Sequence, residues 1–158
     1  MIKILEKVQL TVGVLSLSIF FIAIIIQITT RHLGISMIWT EEVAKYSFIW
    51  SVFMGAAVMV NRREHFSFDF LVQKLKGTKK TALLIVIDTI VFLFTVALFY
   101  YGIEAVQNFW NYTWTSLPQL KMGYVWVVIP ITGLTMAIYS LNHLIHHFKE
   151  LKRGGAKA

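Results

Sequence analysis

The chain has 158 residues, of which 57% are hydrophobic and 15% carry a formal charge, with a net charge of +7 and no cysteine. A soluble domain has about a quarter of its residues charged, so this composition indicates a membrane protein of about one domain. The lack of cysteine excludes disulfides, thiolate metal sites and cysteine nucleophiles. Basic residues held on one side of a membrane explain the positive charge better than nucleic-acid binding does.

The first apolar segment predicts a membrane-spanning helix over about residues 8–30. The 23 residues from Val8 to Thr30 carry no charge, and as a helix they would extend roughly 34 Å, enough to cross a hydrocarbon core of about 30 Å. Lys3 and Lys7 precede this segment, as basic residues precede the apolar part of a signal peptide. The apolar run is longer than the ~7–15 residues of a signal peptide and has no small-residue cleavage site, so we predict a retained helix.

The second apolar segment opens with "IWTEEVAKYSFIW", residues 38–50, and is predicted to span about residues 40–61. Thr40 is a good helix N-cap. Glu41 and Glu42 would then lie in the first turn, where the positive end of the helix dipole favours carboxylates. Lys45 follows Glu41 by four residues, in the favourable order for an ion pair, and Arg31 at the end of the first span can pair with either glutamate.

The cluster of Arg31, Glu41, Glu42 and Lys45 has two interpretations. It is either a capped helix end with a weak surface ion pair, which residue chemistry alone favours, or a docking or interface site outside the cytoplasm. Further along the same helix, small residues recur every four positions and form a stripe on which another helix can pack closely, in a partner or within this chain. The stripe consists of Ser47, Ser51 and Gly55.

The connection after the second span contains "HFSFDFLVQKLK" and predicts a short amphipathic helix over about residues 67–76, lying on the cytoplasmic membrane surface against lipid. Its apolar face is formed by Phe68, Leu71, Val72 and Leu75, spaced i, i+3, i+4 and i+7. The alternation in "HFSFDF" also fits a strand.

The third span is predicted over about residues 81–103 and contains one charged residue, Asp88. A carboxylate inside a span is by default a functional candidate, for example in proton or cation coupling. The alternative is a buried acid that bonds a neighbouring helix or pairs with Arg62 or Arg63. The scarcity of other polar groups at that depth favours this alternative.

The fourth span is predicted over about residues 122–144, with a kink at Pro130, and is followed by a histidine-rich end. His143 and His147 are one helical turn apart, a workable spacing for two metal ligands. The chain has no cysteine to complete such a site, and we expect no carboxylate at a matching spacing. His143, His146 and His147 are therefore interpreted as polar anchors. We therefore expect no metal, haem or other cofactor.

These segments predict an all-α membrane protein with four transmembrane helices in a single domain, because backbone groups in lipid must bond within their own segment. Twelve of the 15 basic residues lie in the two tails and the loop between the second and third spans. Four spans place these three regions on one side, which the positive-inside rule assigns to the cytoplasm. Both termini are thus predicted to be cytoplasmic, and residues 31–40 and 104–121 to face outward.

Several residues recur in a set order along the chain: Arg31, Trp39, the glutamates at 41–42, Trp50, Gly55, His65 and Asp69. With the later stretch "TSLPQLKMGYVWVVIPITG", residues 115–133, this series resembles the small membrane subunit of tripartite ATP-independent periplasmic (TRAP) transporters, the DctQ-type family. The resemblance covers nearly the whole chain. The chain departs from the family pattern at Lys45, where arginine is usual, and around Glu64 and the phenylalanines of "EHFSFDF".

The resemblance implies an accessory scaffold subunit in the bacterial inner membrane and not an enzyme. Its implied partners are a large elevator-type membrane subunit, which carries out sodium-coupled import of an organic acid such as a dicarboxylate or sialic acid, and a periplasmic substrate-binding protein. Arg31, Glu41, Glu42 and Lys45 would then face the periplasm, to dock that protein or to brace the first two helices. Two alternatives stay open: a self-sufficient oligomeric transporter that uses Asp88, and a membrane redox subunit.

Overall fold

The computed structural model of the chain describes residues 2–64, 74–75 and 77–155. This part of the chain is helical apart from its connections and one isolated β-bridge between Thr113 and Lys121. Its helices are α1 (Ile2–His32), α2 (Trp39–Arg62), α3 (Thr78–Phe109), α4 (Gly123–Trp126) and α5 (Val128–Gly155). The predicted surface helix over residues 67–76, with Phe68, Leu71 and Val72 on its apolar face, lies outside the described residues apart from Lys74 and Leu75.

The prediction of four spanning helices is confirmed by length and composition. The segments long and apolar enough to cross a membrane are Ile2–His32, Trp39–Arg62, Lys79–Phe109 and Gly123–Leu151. All but the second run well beyond the predicted spans, because lysine, arginine and glutamate are good helix formers and prolong a helix past its apolar part. The uncharged stretch of the sequence therefore marks the part of each helix that suits the hydrocarbon core of a membrane. It does not mark the full length of the helix.

The long helices pack in the order α1, α2, α5, α3. The central pair, α2 and α5, supplies the core cluster of Ala57, Val60, Met136 and Tyr139. Half-buried side chains of the outer helices cover this cluster from either side. The outer helices α1 and α3 expose most of their apolar side chains, as a helix does when it faces lipid or another subunit.

Glycines set the close approach of α3 to α5. A Cβ atom on Gly133 would lie 2.6 Å from the backbone nitrogen of Phe99, and one on Gly102 would lie 2.9 Å from that of Pro130. Small residues let helix backbones approach in this way, which is a common source of packing energy between membrane helices. Pro130 itself lies in the first turn of α5, just after the helix is interrupted at Val127, where its missing N–H costs little.

We expect Gly133→Val to destabilise the chain by about 1–3 kcal/mol, because the added methyl groups would collide with the α3 backbone. Thermal unfolding of the chain in mild detergent measures this loss. Gly55→Val is the matched control, since a Cβ atom on Gly55 meets no atom within 4 Å. Equal unfolding temperatures for the two variants would contradict the packing described here.

Candidate functional site

Polar side chains gather at the two ends of the helices. We call the end that carries the α1–α2 and α3–α4 connections the loop end, and the opposite end, where α1 starts and α5 finishes, the terminal end. The predicted cluster of Arg31, Glu41, Glu42 and Lys45 lies at the loop end. The residues that surround Asp88 lie at the terminal end.

Glu42 fixes the α3–α4 connection to the start of α2. Its side chain is buried, at 9% exposure for the residue. One carboxylate oxygen accepts a hydrogen bond from the backbone N–H of Thr115 and the other from that of Ser116, both at 2.8 Å. Hydrogen bonds to an ionised carboxylate are among the stronger ones in proteins. Glu42 therefore acts as a clamp that links two segments more than 70 positions apart in the chain.

Aromatic contacts hold the rest of this connection in place. The Trp114 ring packs edge-on against Tyr46 of α2, with centroids 4.4 Å apart. Gly123, at the start of α4, lies under the Trp110 ring, which leaves no room for a Cβ atom there. The Lys121 ammonium sits 5.7 Å from the centre of the Trp110 ring, within the range of a cation–π contact. The α3–α4 connection is therefore a built surface with several independent contacts.

The other members of the predicted cluster make different contacts from Glu42. Glu41 and Lys45 form an exposed ion pair at 4.0 Å, as their spacing predicts. Within the described part of the chain Arg31 pairs with neither glutamate, so the suggestion that it does so is wrong. Arg31 and Glu41 instead line an open cleft of about 450 Å³ between the end of α1 and the start of α2.

The prediction that Thr40 caps α2 is also wrong. The helix begins at Trp39, its N-cap is Ile38, and no side chain bonds the free N–H groups there. Thr40 is fully buried, and its hydroxyl donates to the Met37 carbonyl at 2.7 Å. Tertiary packing has drawn Thr40 into the first turn, where a residue has helical geometry and no longer serves as a cap.

The small-residue stripe is used partly inside the chain. A Cβ atom on Gly13 of α1 would lie 3.8 Å from the Ser51 carbonyl and 3.9 Å from the Gly55 nitrogen, so α1 packs close to this stretch. The Ser47 hydroxyl donates to the Val43 carbonyl at 2.6 Å, which satisfies it within its own helix. Gly55 opens to the outside, and packing of this face against a partner helix stays a prediction.

At the terminal end, Asp88 is buried and pairs with Arg63, whose Nη2 lies 2.6 Å from Asp88 Oδ2. This confirms the prediction that the acid is paired rather than free. Arg63 follows α2 in a left-handed conformation, with φ of 62°, and its backbone N–H closes the helix on the Val60 carbonyl. Its Nε also donates to His143 Nδ1 at 3.3 Å. The pair thus joins the ends of α2 and α5 to α3.

Glu6 makes a parallel connection from α1 to α2. One carboxylate oxygen accepts from Asn61 Nδ2 and the other from Arg62 Nε, each at 2.7 Å. Asn61 in turn bonds α5, because its carbonyl lies 3.1 Å from His143 Nε2. His143 is therefore engaged by α2, and it does not share a ligand site with His147 as their spacing suggested.

One buried polar contact deeper in the helices was not expected from the sequence. Gln9 Nε2 donates to Thr135 Oγ1 at 2.7 Å, and the Tyr139 hydroxyl donates to Gln9 Oε1 at 2.6 Å. Gln9 is one of the two buried residues of α1. The available signal was a lone amide at the edge of an apolar run, which needs a partner in a neighbouring helix.

Glu150 overturns the expectation that no carboxylate accompanies the C-terminal histidines at matching spacing. Its Oε2 lies 3.0 Å from His147 Nδ1 and its Oε1 lies 3.6 Å from His146 Nδ1. The residues are three and four positions apart, so they share one face of α5. The signal was present in the sequence, because Glu150 follows His147 by three positions and His146 by four, whereas His143 and His147 have no carboxylate between them.

Four long apolar helices, with their charges gathered at both ends, define a multi-pass membrane protein. The chain matches the family described as "Tripartite ATP-independent periplasmic transporters, DctQ component" over residues 20–150. It therefore belongs to the DctQ family of TRAP transporter components, which confirms the resemblance seen in the sequence. This is a family of transporter subunits and not of enzymes.

Three relatives show that the matched region is found both in long permease proteins and in a small one. The chain is 26% identical over 148 residues, 88% of its length, to the isethionate TRAP transporter permease protein DctMQ of Oleidesulfovibrio alaskensis. It is 27% identical over 142 residues, 87% of its length, to the sialic acid TRAP transporter permease protein SiaT of Haemophilus influenzae. The chain spans only 23% and 22% of those two longer proteins.

A third relative is of similar size to this chain. It is a protein of Haemophilus influenzae assigned as a TRAP transporter small permease, 29% identical over 126 residues, which are 78% of this chain and 75% of that protein. The matched region thus corresponds to 75% of a small permease in one case and to about a quarter of a longer permease in the others.

Glu42→Ala is expected to release the α3–α4 connection, whereas Glu41→Ala is not. The backbone N–H groups of Thr115 and Ser116 would exchange with deuterium about tenfold faster or more, since a hydrogen bond to a charged group contributes about 1.5 kcal/mol or more. Hydrogen–deuterium exchange of a peptide covering residues 110–122 measures this change. Unchanged exchange in Glu42→Ala would show that the aromatic contacts hold the connection by themselves.

A double-mutant cycle compares the buried and the exposed ion pair. We expect Arg63→Gln and Asp88→Asn to be coupled by about 0.5–3 kcal/mol, since the two side chains touch in one network. The cycle of Glu41→Gln with Lys45→Gln should show no resolvable coupling, because exposed pairs contribute little. The coupling free energies are measured by unfolding in mild detergent. Equal values in the two cycles would contradict a structural role for Asp88.

Proposed function

We propose that the chain is the static accessory subunit of a TRAP uptake system. It pairs in the bacterial inner membrane with a large membrane subunit that performs sodium-coupled import of an organic acid by an elevator motion. Its loop end helps to dock a periplasmic binding protein that delivers the substrate. Membership of the DctQ family over residues 20–150 is the observation that carries this proposal.

The internal bonding of the chain supports a static role. Asp88 is held by Arg63, Glu6 by Asn61 and Arg62, and the Gln9 amide by two hydroxyls of α5. A carboxylate that couples ions to transport has to be available to its ion, whereas the Asp88 carboxylate already accepts a 2.6 Å bond from a guanidinium. These bonds disfavour transport through Asp88 and favour a braced scaffold.

The open faces of the outer helices supply the surface for the large subunit. α1 exposes a broad apolar face, and the open side of Gly55 on the adjacent α2 allows a helix backbone to come close. Gly55, with Ser47 and Ser51 on the same helix, is proposed to pack against the large subunit. The partly buried state of the two serines leaves Gly55 as the member best placed for this contact.

We assign the loop end to the periplasm and the terminal end to the cytoplasm on the distribution of basic residues. The basic residues near the starts of α1 and α3 and near the end of α5 belong to the terminal end of these helices. Arg31, Glu41 and Lys45 then present exposed charges to the periplasm beside the 450 Å³ cleft. Glu42 shapes the same surface indirectly, by holding the α3–α4 connection in place.

The transported substrate is proposed only as a class. The names of two relatives refer to isethionate and to sialic acid, both of which are organic acids. An organic acid is therefore the substrate class proposed for the system to which this chain contributes.

Reconstitution into liposomes tests whether transport needs the large membrane subunit in addition to this chain. Liposomes that contain the chain with its large membrane subunit and the binding protein should accumulate the organic acid along a sodium gradient. Liposomes that contain the chain alone should not, because its interior carboxylates are engaged. Uptake by the chain alone, lost in Asp88→Asn, would replace the scaffold proposal with a self-sufficient transporter.

Arg31→Gln tests the docking surface. Removal of this exposed charge should raise the concentration of binding protein needed for half-maximal uptake and weaken the dependence on salt, since rim charges mainly steer association. Lys79→Gln, an exposed charge at the terminal end, is the matched control and should change neither quantity. If both variants behave like the wild type while the complex assembles normally, Arg31 takes no part in docking.

A further inference from the structure

Three metal-ligating side chains meet near the end of α5. His146, His147 and Glu150 each offer one ligand atom, and these atoms all lie within 4.8 Å of one another. We propose that this cluster is a binding site for one divalent transition-metal ion, with Zn²⁺ as the best fit.

The distances suit direct coordination. Bonds of about 2.0–2.1 Å from Zn²⁺ to nitrogen or oxygen, in tetrahedral geometry, place neighbouring ligand atoms roughly 3.3 Å apart. Glu150 Oε2 lies 3.0 Å from His147 Nδ1, and Glu150 Oε1 lies 3.6 Å from His146 Nδ1. With one ligand atom taken from each residue, the three atoms lie within 4.8 Å of one another. Side-chain rotations that shorten these separations would bring the three atoms to bonding distance of one ion, with the fourth position open to water.

The ligand types narrow the choice of metal. Two imidazole nitrogens and one carboxylate oxygen suit Zn²⁺ and its neighbours Co²⁺, Ni²⁺ and Cu²⁺, whereas Mg²⁺ and Ca²⁺ prefer oxygen ligands. The chain has no cysteine, which rules out thiolate-bound clusters.

The surroundings of His147 supply a second, independent observation. Its side chain is only 10% exposed, and its Nε2 has no hydrogen-bond partner among the described residues but lies 3.7 Å from Asp88 Oδ2. Histidines that bind metals through one ring nitrogen commonly direct the other N–H to a carboxylate. Asp88 stands in that position, and Arg63 Nη2 lies 2.6 Å from the same oxygen, Asp88 Oδ2.

The placement of two carboxylates around the His147 ring fits the same site. Glu150 faces Nδ1 and Asp88 faces Nε2. An ion bound at Nδ1 would use the lone pair there and leave the N–H on Nε2 directed at Asp88. The ion would then connect α5 to Asp88 of α3 through the ring of His147.

Cobalt and zinc titrations test the site. The full chain, purified in mild detergent without a histidine tag, is titrated with Co²⁺ and followed by its visible absorption, and Zn²⁺ is then added in competition. The wild type should bind one Co²⁺ ion with the spectrum of a low-coordinate nitrogen and oxygen site, which Zn²⁺ abolishes. Zn²⁺ should also raise its unfolding temperature.

The variants separate this site from other histidines. Glu150→Gln and His146→Ala remove exposed ligands and should weaken binding at least tenfold, and Asp88→Asn should weaken it by about 10- to 100-fold. His32→Ala removes an exposed histidine at the loop end and should leave binding unchanged. Since Asp88→Asn also frees Arg63, the two exposed ligands decide the outcome if that variant unfolds. The proposal is overturned if the wild type shows no saturable one-to-one binding, or if Glu150→Gln and His146→Ala bind as tightly as His32→Ala.

Discussion

A polar group placed among apolar membrane helices has to find its partner within the protein, because lipid offers none. The long-range polar contacts of this chain follow that constraint by connecting different segments of the protein. Gln9 joins α1 to α5, Arg63 and Asp88 join α2 to α3, and Glu42 joins α2 to the α3–α4 connection. These few bonds fix the row of helices at both ends, while glycine contacts set the spacing between α3 and α5.

The polar side chains at the two ends of the molecule make different kinds of contact. At the loop end one carboxylate is committed to structure and its neighbour, Glu41, is left exposed with Lys45 beside a cleft. At the terminal end the charges form a chain of contacts from Glu6 through Asn61 to His143, and from Arg63 through Asp88 to His147. A scaffold that resists a moving neighbour needs such bracing, and a docking surface needs the exposed charges.

The predicted site shows where reasoning from sequence reached its limit. The Glu41–Lys45 pair was predictable because both residues lie on one helix, where four-residue spacing determines contact. Glu41 and Glu42, however, look equivalent in sequence, and the partners of Glu42 lie more than 70 positions away. Thr40 failed as a predicted cap for the same reason: its burial in the fold overrode the local preference for an N-cap.

The sequence by itself determined the class of fold and the four spans, and it favoured a paired Asp88 over a free one. Each of these follows from a local property: an apolar run long enough to cross a bilayer, or a buried acid that cannot stay alone. Only the tertiary structure decided that Arg63 rather than Arg62 holds Asp88, that Gln9 reaches α5, and that Glu150 meets two histidines beside Asp88. Those contacts depend on how the helices are rotated and staggered against one another, which packing sets and which no single segment encodes.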